Sequence, residues 1–114
     1  LNSLVHPAVG EDYVNWLRQY KEEKYTIKEA ALLFEAGIYK TLDKVILVTC
    51  PVEERVNRVM KRDKADRDSV LQRINNQWPE EEKLKLTDFV LNNDGETLLI
   101  PQVLKIHKEL ISLA

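Results

Sequence analysis

Cysteine is almost missing from the chain: Cys50 is the only one in 114 residues. An internal disulfide framework is excluded, and a reducing, cytosolic setting is expected. No histidine lies near Cys50 in sequence, so a buried small hydrophobe is a better reading than a nucleophile. The two histidines, His6 and His107, are far apart, and neither has a second ligand at metal spacing, so no metal site is expected. Glycine occurs at only three positions. The sequence contains no Gly-x-x-x-x-Gly-Lys-Ser/Thr phosphate loop, no zinc spacing and no serine-nucleophile motif. No apolar run approaches the roughly 20 residues needed to span a bilayer, and the first residues do not resemble a signal peptide. An excess of one charge is lacking too: 17 basic against 19 acidic side chains leave a formal net charge of -2. Without a general attraction to polyanions, nucleic acid is not an expected partner, and neither is a membrane.

What is present is a 44% hydrophobic chain, enough for one modest core and hence a single unit or a piece of a larger domain. The opening Leu1-Asn2-Ser3-Leu4-Val5-His6-Pro7 reads like the middle of a protein, so a truncated chain is expected. Pro7 suits the first turn of a helix running to about residue 22, with Val9, Tyr13, Trp16, Leu17 and Tyr20 on one side. The aromatic spacing there is helical, which favours a packing stripe over a base-stacking platform. Residues 25–33 mix β-formers with an Ala-Ala-Leu-Leu-Phe run. Periodicity alone does not separate strand from buried helix there; a strand ending near Leu33 is expected, with Phe34 to Gly37 as its C-terminal loop. The β-branched run over residues 44–50 predicts a strand buried on both faces, as in a parallel sheet, stopped by Pro51. Helical patterns follow over residues 52–62, 66–77 and 79–86. A short strand is expected at 88–92, a turn at Asn93-Asp94-Gly95, and a closing amphipathic helix over 97–113.

Chemistry concentrates in the arginines. Arg55, Arg58, Arg62, Arg67 and Arg73 fall within one segment, and Arg58 and Arg62, four apart, share a helix face. Guanidinium forks match phosphate oxygens and stabilise charge developing in phosphoryl transfer. Composition alone, however, favours a solvated helix paired with Glu53, Glu54, Asp63, Asp66 and Asp68 by about three to one. Glu35 follows an apolar run, at what would be the C-terminal end of a parallel strand, where open α/β sheets place ligands.

Read in order, these segments resemble the dephospho-coenzyme A kinase family of P-loop kinases over nearly the whole chain. Leu1-Asn2-Ser3-Leu4-Val5-His6-Pro7-Ala8-Val9 is similar to the family's Leu-x-x-Ile-x-His-Pro-x-Val. Glu29-Ala30-Ala31-Leu32-Leu33-Phe34-Glu35 is similar to its Pro-Leu-Leu-Phe-Glu strand end, with alanine at 31 in place of proline. Arg58-Val59-Met60-Lys61-Arg62-Asp63 resembles its Arg-x-x-x-Arg-Asp helix, Arg73-Ile74-Asn75-Asn76-Gln77 its lid, and Asp88 to Gly95 its Ala-Asp-x-Val-Ile-x-Asn-x-Gly strand and turn. Each motif is short, but five in register make coincidence improbable and override the compositional reading of the arginines.

The resemblance implies an α/β, parallel-sheet, P-loop kinase-like three-layer fold, N-terminally truncated, with a helical lid and a helical substrate-binding segment. It implies one partial kinase domain: acceptor-binding segment 1–24, core strands and helix 25–62, lid 63–86, and closing strand and helix 87–114. The implied reaction moves the ATP γ-phosphate to the ribose 3′-hydroxyl of dephospho-coenzyme A with Mg2+ assisting. By the same resemblance, Arg58, Arg62, Arg73 and Asn92 contact the nucleotide, while His6, Leu32, Leu33, Phe34 and Glu35 line or support the acceptor pocket. The family's catalytic aspartate and phosphate loop have no counterpart in this sequence, so the chain alone is expected to be inactive and to self-associate through an exposed core. Two other readings stay open: a non-catalytic, nucleotide-responsive interaction module, and another small-molecule P-loop kinase.

Overall fold

The computed structural model describes residues 2–114, with side-chain surroundings from residue 8 onward. In chain order it contains helix α1 (Asn2–Gln19), a short 3-10 turn (Ile38–Thr41), strand β1 (Ile46–Thr49), helices α2 (Val52–Asp63), α3 (Arg67–Asn75) and α4 (Glu80–Leu84), strand β2 (Phe89–Asn92) and helix α5 (Leu99–Leu113). The chain divides into two units. One runs through Lys28 and takes in Glu109–Ala114; the other is Glu29–Lys108.

In the first unit, the aromatic stripe of α1 forms as its helical spacing predicts. The Tyr13 and Trp16 rings stack at 6.3 Å, and Trp16 meets Tyr20 at 4.9 Å. Lys28 places its ammonium 3.9 Å from the Tyr13 ring centre, a cation–π contact that ties the end of this segment back to the helix.

The second unit is built on β1 and β2, which pair in parallel with Ile46 opposite Phe89 and Thr49 opposite Asn92. Parallel neighbours need a crossover, and α2, α3 and α4 supply it. Pro51 caps α2, whose first turn carries Glu53 and Glu54 and whose last turn carries Lys61 and Arg62, each sign matched to the helix dipole. The helix ends at Lys64, in the left-handed region at φ 52°. Asp66 then caps α3 by accepting from the Ser69 N–H at 2.9 Å, which lets the chain turn sharply into the next helix. The core among the described residues comprises Phe34, Val45 just before β1, Val56 of α2, Val70 of α3 and Ile106 of α5. Val56 and Val70 are essentially inaccessible and fasten α2 and α3 to the rest.

Two expectations need correction. Residues 25–33 form no strand, and the following residues wind through successive turns, with Ala36 N–H donating to Leu32, Gly37 to Phe34 and Tyr39 to Leu33. The physical reason lies in the residues: Glu29-Ala30-Ala31-Leu32-Leu33 has no β-branched side chain, and its backbone bonds locally. Nor is β1 buried on both faces, since Val48 is 57% exposed. Among the described residues the sheet has only these two strands, and on the Val48 face Ile46, Phe89 and Leu91 are only partly buried.

Candidate functional site

The C-terminal ends of both strands open onto a cleft of about 260 Å³ lined by Thr49, Cys50, Pro51, Glu80, Asn92 and Asp94. Side chains there are held from several directions. The Thr49 hydroxyl donates to Asn92 Oδ1 at 2.8 Å, joining the last residues of the two strands across the pair. The carboxamide of Gln102 receives the Asn92 N–H at 2.7 Å and donates to the Asn92 carbonyl at 3.0 Å and the Leu98 carbonyl at 2.9 Å. One α5 side chain thus occupies the outer edge of β2 as a neighbouring strand would.

The turn after β2 is similarly fixed. Asp94 accepts from the N–H groups of Thr97 at 2.7 Å and Glu96 at 2.9 Å and from the Thr97 hydroxyl at 2.8 Å. The Thr97 backbone bond first, then that of Glu96 and the Thr97 hydroxyl, lower the Asp94 pKa from its ordinary value to about 2, because every donor favours the charged form. Gly95 follows at φ 84°, a conformation glycine adopts without steric cost.

Arg58 stands at the rim of this turn. Its guanidinium donates to the Asn93 carbonyl at 3.2 Å and pairs with Glu54 at 2.9 Å. Arg62 makes a two-point contact with Asp63, at 2.8 and 3.1 Å, and Arg73 reaches the same carboxylate at 3.1 Å. The hydrogen bond from Arg62 is the main cause of a lowered Asp63 pKa. Asp63 therefore holds together two of the arginines singled out from the sequence, one on α2 and one on α3. Arg67 locks onto Glu53 at 2.9 and 2.6 Å, and its hydrogen bonds lower the Glu53 pKa. All these guanidiniums remain substantially exposed, so an incoming polyanion can compete for them.

Of the residues expected at an acceptor pocket, Phe34 is 4% exposed and packs among Tyr39 and Trp78, with ring centres 5.3 and 6.1 Å away. Glu35, beside it, is half-buried and faces Lys83 at 3.5 Å. Leu33 is half-buried, whereas Leu32 is exposed. The side chain of His6 lies outside the described residues. Asn92 and Arg58 come together around the β2 turn, and Arg62 and Arg73 come together around Asp63. Gln102, Lys83 and the Asn93 carbonyl escaped the reading of the sequence; a polar residue within an amphipathic helix carries no signal that it will clasp a distant strand. Among the described residues, no cluster of three His, Cys, Asp or Glu side chains is arranged to hold a metal ion.

Comparison with known proteins gives this arrangement its family. The profile of the dephospho-CoA kinase family matches residues 1–98. The chain belongs to the dephospho-CoA kinase family. It is 37% identical over 106 residues to the dephospho-CoA kinase of Bacteroides fragilis strain YCH46, covering 93% of this chain and 52% of that protein. To the dephospho-CoA kinase of Leptospira interrogans serovar copenhageni it is 41% identical over 95 residues, covering 83% of this chain and 46% of that one. The chain thus spans about half the length of these relatives. Among solved structures, TT1252 from Thermus thermophilus superposes with a TM-score of 0.78 at 36% identity, over 96% of this chain and 56% of that one. The α/β, parallel-sheet, P-loop kinase-like fold expected from the sequence is the fold observed. Among the described residues, no helix is long and apolar enough to cross a membrane.

Proposed function

We propose that this chain contributes the acceptor segment, lid and closing strand of a cytosolic enzyme that transfers the ATP γ-phosphate to the ribose 3′-hydroxyl of dephospho-CoA. The observation that carries the reading is the Arg58 guanidinium on the Asn93 carbonyl. It joins the Arg-x-x-x-Arg-Asp helix to the Asn-x-Gly turn, so two of the motifs that carry the family resemblance lie side by side.

The division of labour follows from charge. Two of the cleft's six lining residues are the carboxylic residues Glu80 and Asp94, and none is a cation, so the cleft suits the neutral base end of a nucleotide. Its volume of about 260 Å³ falls below the ~300–1,000 Å³ of a complete small-molecule pocket, which fits part of a nucleotide better than the whole. Asn92 and the adjacent turn then take the base, while Arg58, Arg62 and Arg73 take the phosphates by exchanging internal carboxylates for phosphate oxygens. Mg2+, when bound with ATP, supplies charge neutralisation on the phosphates, and no side-chain cluster described in this chain is needed as its cage.

On the acceptor side, the reading assigns Leu32, Leu33, Phe34 and Glu35, with His6, to dephospho-CoA. Residues 1–24, 25–62, 63–86 and 87–114 serve as acceptor segment, core, lid and closing element of one kinase domain. With no glycine-rich phosphate loop among the 114 residues, the chain alone binds ligand but does not turn over. Its exposed Val48, Val90 and Ile100 favour self-association, and light scattering of a concentration series returning only monomer would remove that part.

Calorimetric titration of the folded chain with dephospho-CoA, and separately with ATP and Mg2+, tests the assignment. Binding of dephospho-CoA with weaker binding of ATP supports it. Binding of neither, or of another small-molecule kinase substrate in preference, overturns it.

A further inference from the structure

Glu35 is the least satisfied polar group described in the molecule. Both carboxylate oxygens are shielded from solvent and neither has a hydrogen-bond partner. Such a carboxylate offers several lone-pair sites, and leaving them empty away from water is costly. What keeps the group tolerable is Lys83, whose ammonium lies 3.5 Å from Oε1, with the two side chains only 12% and 15% exposed. On its other side the ammonium lies 5.9 Å from the centre of the Phe34 ring, within range of a cation–π contact. Lys83 is therefore lodged between Glu35 and its sequence neighbour, balancing the charge without using up the carboxylate's acceptor capacity.

Lys83 belongs to the short helix α4, whose first residue, Glu80, lines the cleft at the strand ends. The segment leading into α4 is anchored in the same place, because Trp78 packs on Phe34 and Tyr39. Two contacts of different kinds, one aromatic and one ionic, thus fasten α4 to the turn containing Glu35. The aromatic contact holds the segment in place; the ionic one acts on the carboxylate.

We propose that Lys83 is a positioning residue for acceptor binding: it keeps Glu35 oriented and free to accept hydrogen bonds from the hydroxyl or amide N–H groups of the acceptor. This rests on the assignment of Glu35 to the acceptor side under the proposed function. The acceptor completes a carboxylate that the protein leaves without donors, and Lys83 supplies the countercharge that makes such a carboxylate sustainable in the absence of ligand. Removing one partner of a buried pair leaves the other uncompensated, so loss of Lys83 disturbs Glu35 directly. Arginine at 83 preserves the charge.

The test is calorimetric titration of dephospho-CoA into the wild-type chain, Lys83→Met, Lys83→Arg, Glu35→Gln and the Lys83→Met/Glu35→Gln double variant, each first shown to be folded by its urea transition. Lys83→Met is expected to weaken binding about tenfold, Lys83→Arg to stay within about threefold of wild type, and Lys83→Met to change affinity less than about twofold when Glu35 is already glutamine. Rescue by arginine and dependence on Glu35 separate positioning from a merely structural contribution. If Lys83→Met does not fold, Lys83→Gln takes its place. Unchanged affinity on loss of Lys83, or the same loss with and without Glu35, overturns the inference while leaving the acceptor reading intact. Failure of the wild-type chain to bind dephospho-CoA overturns the acceptor reading, and this inference with it.

Discussion

Arg58 donates to the main-chain carbonyl of Asn93 at 3.2 Å while its other guanidinium nitrogen pairs with Glu54 one helical turn back. A side chain of α2 thereby fixes the turn that follows β2, and Asn93 lies between two residues, Asn92 and Asp94, that line the cleft. The contact is exposed, so its contribution to stability is small and its role in orienting the turn is the larger consequence.

Replacing Arg58 by alanine is accordingly expected to lower stability by less than about 1 kcal/mol while weakening ATP–Mg2+ binding by about tenfold or more. Arg58→Lys should not restore binding, because an ammonium cannot span a carbonyl and a carboxylate as the guanidinium fork does. Urea denaturation and calorimetry on the same samples check both halves.

Asp94 makes the acid limb of stability predictable in sign. Its folded-state pKa of about 2 lies below the ordinary 3.8, so the stabilisation is fully present above pH 4 and is lost as pH falls through about 2. Asp63 and Glu53, also lowered, lose theirs on acidification in the same direction. Asp94→Asn should be less stable at neutral pH and should show a shallower decline between pH 4 and 2. Thermal melts at closely spaced pH values measure the two slopes.

Gly95 sits at φ 84°, and a Cβ there would meet Glu54 Oε1 at 3.4 Å and an Arg58 guanidinium nitrogen at 3.6 Å. Gly95→Ala is expected to cost about 1–2 kcal/mol from backbone strain alone. The added methyl would only touch the Arg58–Glu54 pair at van der Waals distance, so any weakening of nucleotide binding is expected to come from strain in the turn. Urea midpoints and ATP titration report the two effects separately.

Gln102 satisfies both main-chain groups of Asn92. Gln102→Leu keeps the volume but removes the clasp, and the expected loss is about 1–3 kcal/mol. Exchange of the Asn92 amide with deuterium should accelerate in that variant, while the Val56 amide, within α2, should change by no more than the global stability does.

Much of the fold was written locally. The apolar run of β1, the Val56 spacing of α2, the acidic first turn of α4 and the amphipathic pattern of α5 each depend on neighbours a few residues away, and each element occurs within a few residues of its expected place. Residues 25–33 did not follow, because their alanines and leucines suit turns as well as strands, and only a neighbouring strand would have decided otherwise. The paired arginine helix and the Asn-Asn-Asp-Gly turn were visible as motifs, and with them the family.

What the sequence by itself determined was therefore most of the elements and the family. Tertiary structure alone decided which of them meet. Arg58 on Asn93, Gln102 on Asn92 and Lys83 beside Glu35 join residues from different elements, and no periodicity encodes such pairs. Their partners are chosen by where helices and strands pack, since a hydrogen bond or an ion pair acts over only a few ångströms.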